Sequence, residues 1–176
     1  MKRLIIFDFF GVISSEISVR WFNKRNLDSK DYYFSPADLG ERSFIETIDL
    51  MSRDLGYSSS DILAELKSYA KLNYELISYI KSIRDNNYVA LLSNAPADIF
   101  EVLYPELDLN ELFDEVFISS NYKMKKPNLD FYKLCLNSFG NVEAIMIDDN
   151  ISNLNLSSIG IKGILYKSNE DLFKKL

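Results

Sequence analysis

Short apolar runs punctuate the chain, and most end on polar residues. Leu4-Ile5-Ile6-Phe7 closes on Asp8 and breaks at Gly11, Val89-Ala90-Leu91-Leu92 closes on Ser93-Asn94, and Ala144-Ile145-Met146-Ile147 closes on Asp148-Asp149. A shorter run, Val116-Phe117-Ile118, and a late one, Gly163-Ile164-Leu165-Tyr166, complete the set. Unbroken apolar stretches of this length suit strands buried on both faces of a parallel sheet. Between them the spacing is helical. Ile17, Trp21 and Phe22 recur first, then Phe44, Ile48, Met51 and Leu55, then Ile62, Leu63, Leu66 and Tyr69 behind Ser58-Ser59-Ser60, and then Leu76, Ile77, Ile80 and Ile83. Further helices are expected around Asp98 to Tyr104, after Pro127, from Ile151 to Ile159 and at the charged C-terminus. The polar, tyrosine-bearing stretch from Asp28 to Asp38, with Pro36 inside it, reads as a loop leading to Gly40, and Ser43 reads as a helix start.

Strands that alternate with helices predict an α/β, doubly wound parallel sheet. The block between the first two strands is helical throughout, so residues 14–75 are expected to form a small all-helical insert on a core built from 1–13 and 76–176. Short right-handed crossovers would then bring several strand ends to the carboxyl edge of the sheet, where open α/β sheets bind ligands.

Composition removes several chemistries. The 176 residues include no histidine and one cysteine, Cys135, so Ser-His-Asp and Cys-His catalysis and an imidazole or thiolate zinc site are all excluded. Cys135 lies on the apolar side of a helical pattern with Phe131, Leu134 and Phe139, which suits a buried structural thiol. Any catalytic metal must therefore be a hard ion held by oxygen, for which Mg²⁺ is the natural choice. The net charge of −6 lacks the concentrated basic face that nucleic acid requires. The N-terminal apolar segment is too short for a signal-peptide core or a membrane span, so the expectation is a cytoplasmic protein with no membrane partner, a monomer or a small homo-oligomer.

Asp8, Ser93-Asn94, Lys126 and Asp148-Asp149 would meet at the sheet edge. Carboxylates gathered at one point repel unless a cation neutralises them, and Mg²⁺ uses one or two carboxylates together with substrate phosphate. A hydroxyl and a lysine beside them suit a phosphate's remaining oxygens. Each group alone also has an ordinary reading: Ser93-Asn94 as a turn, Asp148-Asp149-Asn150 as a helix cap, and Lys126 as part of a solvated run with Lys123 and Lys125.

In their order, these residues resemble the haloacid dehalogenase (HAD) superfamily, in the branch with a helical cap after the first motif. Phe7-Asp8-Phe9-Phe10-Gly11-Val12 is similar to the first motif, Leu91-Leu92-Ser93-Asn94 to the second, Lys126-Pro127-Asn128 to the third, and Ile147-Asp148-Asp149-Asn150 to the fourth. The resemblance implies a Rossmann-like core and a Mg²⁺-dependent phosphatase acting on a small phosphorylated metabolite. It implies that Asp8 is the nucleophile, that Ser93 and Lys126 hold phosphoryl oxygens, and that Asp8, the Phe10 carbonyl and Asp149 bind the ion, with Asp148 supporting a metal-bound water. Asn94, Gly11 and Arg20 are expected beside the substrate. Arg20, Trp21, Tyr32, Tyr33, Arg42 and Arg53 are the candidates in the helical insert for setting specificity.

One position departs from the pattern. Phosphatases of this superfamily carry a second aspartate two residues after the nucleophile, and here Phe10 stands there. Positioned acid–base catalysis is typically worth about 10²–10⁴-fold. The enzyme would then use substrates with good leaving groups, recruit an acid such as Glu16, or act as a weakly active or inactive phosphate-binding protein. A dehalogenase-like reaction at carbon is a further alternative, disfavoured by the Asp148-Asp149 pair, whose charge would raise the pKa of Asp8 unless neutralised.

Overall fold

The computed structural model describes residues 2–176, which fold around a five-stranded, wholly parallel sheet in the order β3-β2-β1-β4-β5. The strands are β1 (Arg3–Phe7), β2 (Asn87–Ser93), β3 (Glu115–Ile118), β4 (Ala144–Asp148) and β5 (Ile161–Leu165). Helices α1 (Ile17–Asn23), α2 (Lys30–Asp38), α3 (Phe44–Leu55) and α4 (Ser59–Tyr69) intervene between β1 and β2, followed by α5 (Tyr74–Ile83). Beyond β2 come α6 (Ile99–Leu103), α7 (Leu109–Leu112), α8 (Ser119–Tyr122), α9 (Leu129–Phe139) and α10 (Asn169–Phe173).

The apolar runs become the central strands because both faces of the sheet are covered. Ile5 and Phe7 of β1 point into one cluster with Val89, Leu91, Ile145 and Ile147, and this cluster continues through Phe9, Val12 and Ile13 into Trp21, Phe22, Phe34, Phe44 and Met51 of the inserted helices. Leu4 and Ile6 point the other way, joining Ala90, Leu92 and Met146 beneath Phe131, Tyr132 and Cys135 of α9. Register fixes the edge. Phe7 pairs with Leu91 on one side and Ile147 on the other, so Asp8, Ser93 and Asp148 emerge together.

The inserted helices are tied to the core at both ends. Ser15 donates its N–H to the Lys71 carbonyl at 3.1 Å, and Asn73 donates to Ile13 at 2.8 Å, so the chain leaves and returns side by side. Ser43 caps α3 through a reciprocal pair with Glu46, and Asp98, ahead of α6, accepts from the Phe44 N–H at 2.8 Å. The end of α2 abuts α8: Ser119 Oγ donates to the Asp38 carbonyl at 2.6 Å, and a Cβ on Gly40 would lie 2.5 Å from the Ser120 carbonyl oxygen.

Three expectations need correction. Residues 30–38 are helix α2, not loop, because Tyr33, Phe34 and Ala37 bury against the core and tertiary packing outweighs Pro36 in the helix's last turn. Residues 151–159 hold two 3₁₀ turns, Ile151–Asn153 and Ser157–Ile159, instead of a helix. There Asn150 Oδ1 accepts from the Ser152 N–H and Oγ, and local side-chain bonds of this kind compete with a helical ladder. The helix expected to open at Pro127 starts at Leu129, capped by Asn128.

Candidate active site

Asp8 follows β1 directly and is held by the backbone on both sides. Its N–H donates to the Ile147 carbonyl at 2.9 Å, and its Oδ1 accepts from the Phe9 N–H at 2.7 Å. Lys126 reaches it from the loop before α9, with Nζ 2.9 Å from Asp8 Oδ1 and 2.6 Å from Asp148 Oδ2. The ammonium is buried between two buried carboxylates. Asn94 sets that position by clamping the main chain of Lys126: its Oδ1 accepts from the Lys126 N–H at 2.8 Å, and its Nδ2 donates to the Lys126 carbonyl at 3.0 Å. Asn94, expected beside the substrate, does line the cleft, but its polar atoms are committed to placing the lysine.

Asp148 is also largely committed. Oδ2 accepts from Lys126 and Asn153, and Oδ1 accepts from the Asn150 N–H at 2.8 Å and Asn153 Nδ2 at 3.1 Å. Its neighbour Asp149 faces the cleft. Gly11, in the left-handed region at φ 81°, makes room for it: a Cβ there would lie 2.0 Å from Asp149 Oδ2. Gly11 therefore acts by leaving space and does not line the cleft as expected. Ser93 Oγ is buried and has no hydrogen-bond partner, an unusual state for a hydroxyl at the end of a central strand.

The donor set suits a divalent cation. One oxygen from each of Asp8, Asp148 and Asp149 lies within 4.8 Å of the others, and among these groups only Lys126 supplies positive charge. Burial raises the Asp8 carboxyl well above the usual carboxylate range; Lys126 opposes this and Asp148 adds to it. Burial, reinforced by Asp148, also raises Asp149. Burial works against the charge on Lys126, but Asp8 and Asp148 overcome it and raise its pKa. Surplus negative charge in a desolvated pocket with oxygen donors alone is the arrangement that Mg²⁺ relieves.

The cleft has a volume of about 360 Å³ and extends from Asp8 to the inserted helices. Phe10 lines it while packing edge-on to Phe9, with ring centroids 5.0 Å apart, and against Phe100 and Tyr104 at 6.3 Å. Arg20 does not line it. Its guanidinium lies over the Tyr69 ring, 4.9 Å from the centroid, and the residue is exposed. Four other charged residues that line the cleft come forward instead: Glu16, Lys30, Asp38 and Lys125. Of these only Glu16 was singled out from sequence; the other three sit in or beside stretches that read as loop or solvated charge.

The family comparison agrees with this geometry. A sequence model of haloacid dehalogenase-like hydrolases matches residues 2–154, and the chain belongs to that family. Among solved structures, a HAD family enzyme from Bacteroides thetaiotaomicron superposes with a TM-score of 0.79 at 22% identity, over 99% of this chain and 98% of the other. The same enzyme in complex with magnesium and inorganic phosphate superposes at 0.81 and 20% identity, with both chains fully covered. An L-2-haloacid dehalogenase from Xanthobacter autotrophicus, with chloropropionic acid covalently bound, gives 0.66 at 19% identity over 100% of this chain and 82% of the other. Drimenol cyclase from Aspergillus calidoustus is 26% identical over 113 residues, 60% of this chain, which spans about a fifth (21%) of that relative's length. Among the described residues, no helix is long and apolar enough to cross a membrane.

Proposed function

We propose that this protein is a magnesium-dependent phosphatase that carries the phosphoryl group on Asp8 during turnover of a small phosphorylated metabolite. The observation that supports this best is the buried Lys126 ammonium, 2.9 Å from Asp8 and 2.6 Å from Asp148, with Asp149 completing an oxygen-only acid set at one end of a cleft. The relative solved with magnesium and inorganic phosphate is in keeping with it. Asp8, the Phe10 carbonyl and Asp149 would hold the ion. When bound, it supplies the positive charge that lets an anionic ester approach a carboxylate.

The chain's own groups account for the rest. An Asp8 oxygen attacks phosphorus in line with the ester oxygen, and the bond to the leaving group breaks as the new one forms. Lys126, anchored by Asp148, donates to the phosphoryl oxygens, and Ser93 Oγ, which lacks an acceptor of its own, donates beside it. The leaving oxygen takes up a proton from solvent, and water then attacks phosphorus, breaking the bond to Asp8 and giving its proton back to solvent, so that phosphate is released and the Asp8 carboxylate restored. Residues 14–75 serve as the cap that closes the substrate end. Because Phe10 offers no acid, aryl phosphates turn over faster than alkyl phosphates.

The test is hydrolysis of p-nitrophenyl phosphate by the full chain with Mg²⁺. Activity should disappear in EDTA and in Asp8→Asn, which keeps the side chain's shape but removes the nucleophile. Chloride release from 2-chloropropionate that survives EDTA would instead mark dehalogenase chemistry. Phosphate-induced thermal stabilisation without turnover of any ester would mark a binding protein.

A further inference from the structure

The phosphoryl end occupies only part of the cleft. Glu16, immediately before α1, and Asp38, at the end of α2, line the same cleft as Lys30, Asp31 and Lys125, and Glu16 is near enough to Asp149 to feel its charge. Lys30 Nζ lies 3.1 Å from Asp31 Oδ1, and Lys125 donates to Ser35 Oγ. Glu16 and Asp38 have no comparable partner. Burial raises both carboxyls to about 7, with the charge of Asp149 adding to Glu16 and Lys125 and Lys30 opposing the rise at Asp38. Partly buried carboxyls without donors carry a desolvation cost that a ligand bearing donors would remove.

The chemistry of this wall selects among ligands. An apolar tail would leave both carboxyls unpaired. A second phosphate would meet three acids against two lysines. An ammonium group would face Lys30 and Lys125 beside the carboxyls it sought. A hydroxyl both donates and accepts, so a row of hydroxyls matches carboxylates interleaved with ammonium groups. The cleft volume, near the small end for ligand sites, leaves room for a compact body beyond the phosphate.

We propose that Glu16 and Asp38, with Lys30 and Lys125, form a hydroxyl-reading wall, so that the substrate is the phosphate monoester of a small sugar or polyol. The inference rests on the phosphatase reading and deepens it. The test measures kcat and KM with Mg²⁺ on p-nitrophenyl phosphate, a panel of pentose, hexose and glycerol phosphates, and n-hexyl phosphate. At least one hydroxylated ester should exceed n-hexyl phosphate in kcat/KM by about tenfold or more. In Asp38→Asn and Glu16→Gln, the ratio of kcat/KM for that ester to kcat/KM for p-nitrophenyl phosphate should fall about tenfold, mainly through KM. Both substitutions are near-isosteric and remove a buried charge, and circular dichroism checks that each variant is folded. Asp8-dependent turnover of p-nitrophenyl phosphate with no preference for hydroxylated esters, or with ratios unchanged in both variants, overturns the inference alone. Absence of Asp8-dependent turnover on every ester overturns the phosphatase reading, and the inference with it.

Discussion

Phe10 shows how one side chain divides chemistry from stability. Its ring lines the cleft two residues after Asp8 and joins Phe9, Phe100 and Tyr104 in one aromatic group. Phe10→Asp should raise kcat on alkyl phosphates by at least about tenfold, part of the typical acid–base contribution, while lowering stability by about 2 kcal/mol through lost ring contacts. Steady-state kinetics on n-hexyl phosphate and urea unfolding check the two halves, and no gain in a folded variant would mean that proton transfer does not limit the reaction. Asp38 makes the opposite case. Its carboxyl is raised from 3.8 to about 7 by burial, against the pull of Lys125 and Lys30 and with a push from Asp31 and Glu16. A raised folded-state pKa gives stability that is complete below the unfolded value and is lost as pH rises through about 7. Asp38→Asn cannot ionise, so it should be more stable than the parent at pH 8, by about 2 kcal/mol after allowance for solvent contact, and show no advantage near pH 4. Urea midpoints at the two pH values decide the matter.

At the scale of elements, the parts legible in the sequence are those whose cause is local or periodic. The strands carrying Asp8 and Asp148 announce themselves because double-sided burial requires unbroken apolar runs. Ser43 with Glu46 marks the start of α3 because both halves of its capping box lie within four residues. Ser43→Ala should cost about 1 kcal/mol, the usual worth of such a cap, and Asp98, which still accepts from the Phe44 N–H, limits the loss. Thermal unfolding of the variant measures it, and a drop several times larger would show that the cap also holds the insert to the core. What stayed hidden depends on distant partners. Helix α2 has a weak amphipathic pattern and an internal proline, and it is a helix because Tyr33, Phe34 and Ala37 find a surface that other segments provide. Asn94 reads as a substrate contact until Lys126, 32 residues away, takes both of its polar atoms. Arg20 reads as an anion ligand until Tyr69 draws its guanidinium away from the cleft. The candidate nucleophile and its lysine were thus visible as residues, whereas the division of labour around them was set by tertiary contacts.

Across the whole molecule, four acidic groups around the cleft share one sign. Asp8, Glu16, Asp38 and Asp149 are all raised, each chiefly by burial, so in the folded chain all four resist ionisation that the unfolded chain allows freely. Their combined contribution favours the folded state at low pH and drains away as pH rises through about 7, where Glu16 and Asp38 lose their protons. Lys126 limits the loss because its ammonium stays charged between Asp8 and Asp148 across this range. In EDTA, the protein should therefore lose stability from pH 5 to pH 8, reversing the usual behaviour of salt-bridged carboxylates. Millimolar Mg²⁺ should restore stability most at pH 8, where the carboxylates that bind it are ionised, by about 2.7 kcal/mol at a hundredfold excess over Kd. Asp8→Asn should make the EDTA-treated protein more stable than the parent at pH 8 and reduce its response to Mg²⁺, since the substitution removes a buried charge and an ion ligand together. Lys126→Ala should act in the other direction, costing about 3–5 kcal/mol by stranding two buried carboxylates. Thermal melts of the three proteins at both pH values, with and without Mg²⁺, check this order. A parent that gains stability from pH 5 to pH 8 in EDTA would show that the site is neutralised by protein groups alone.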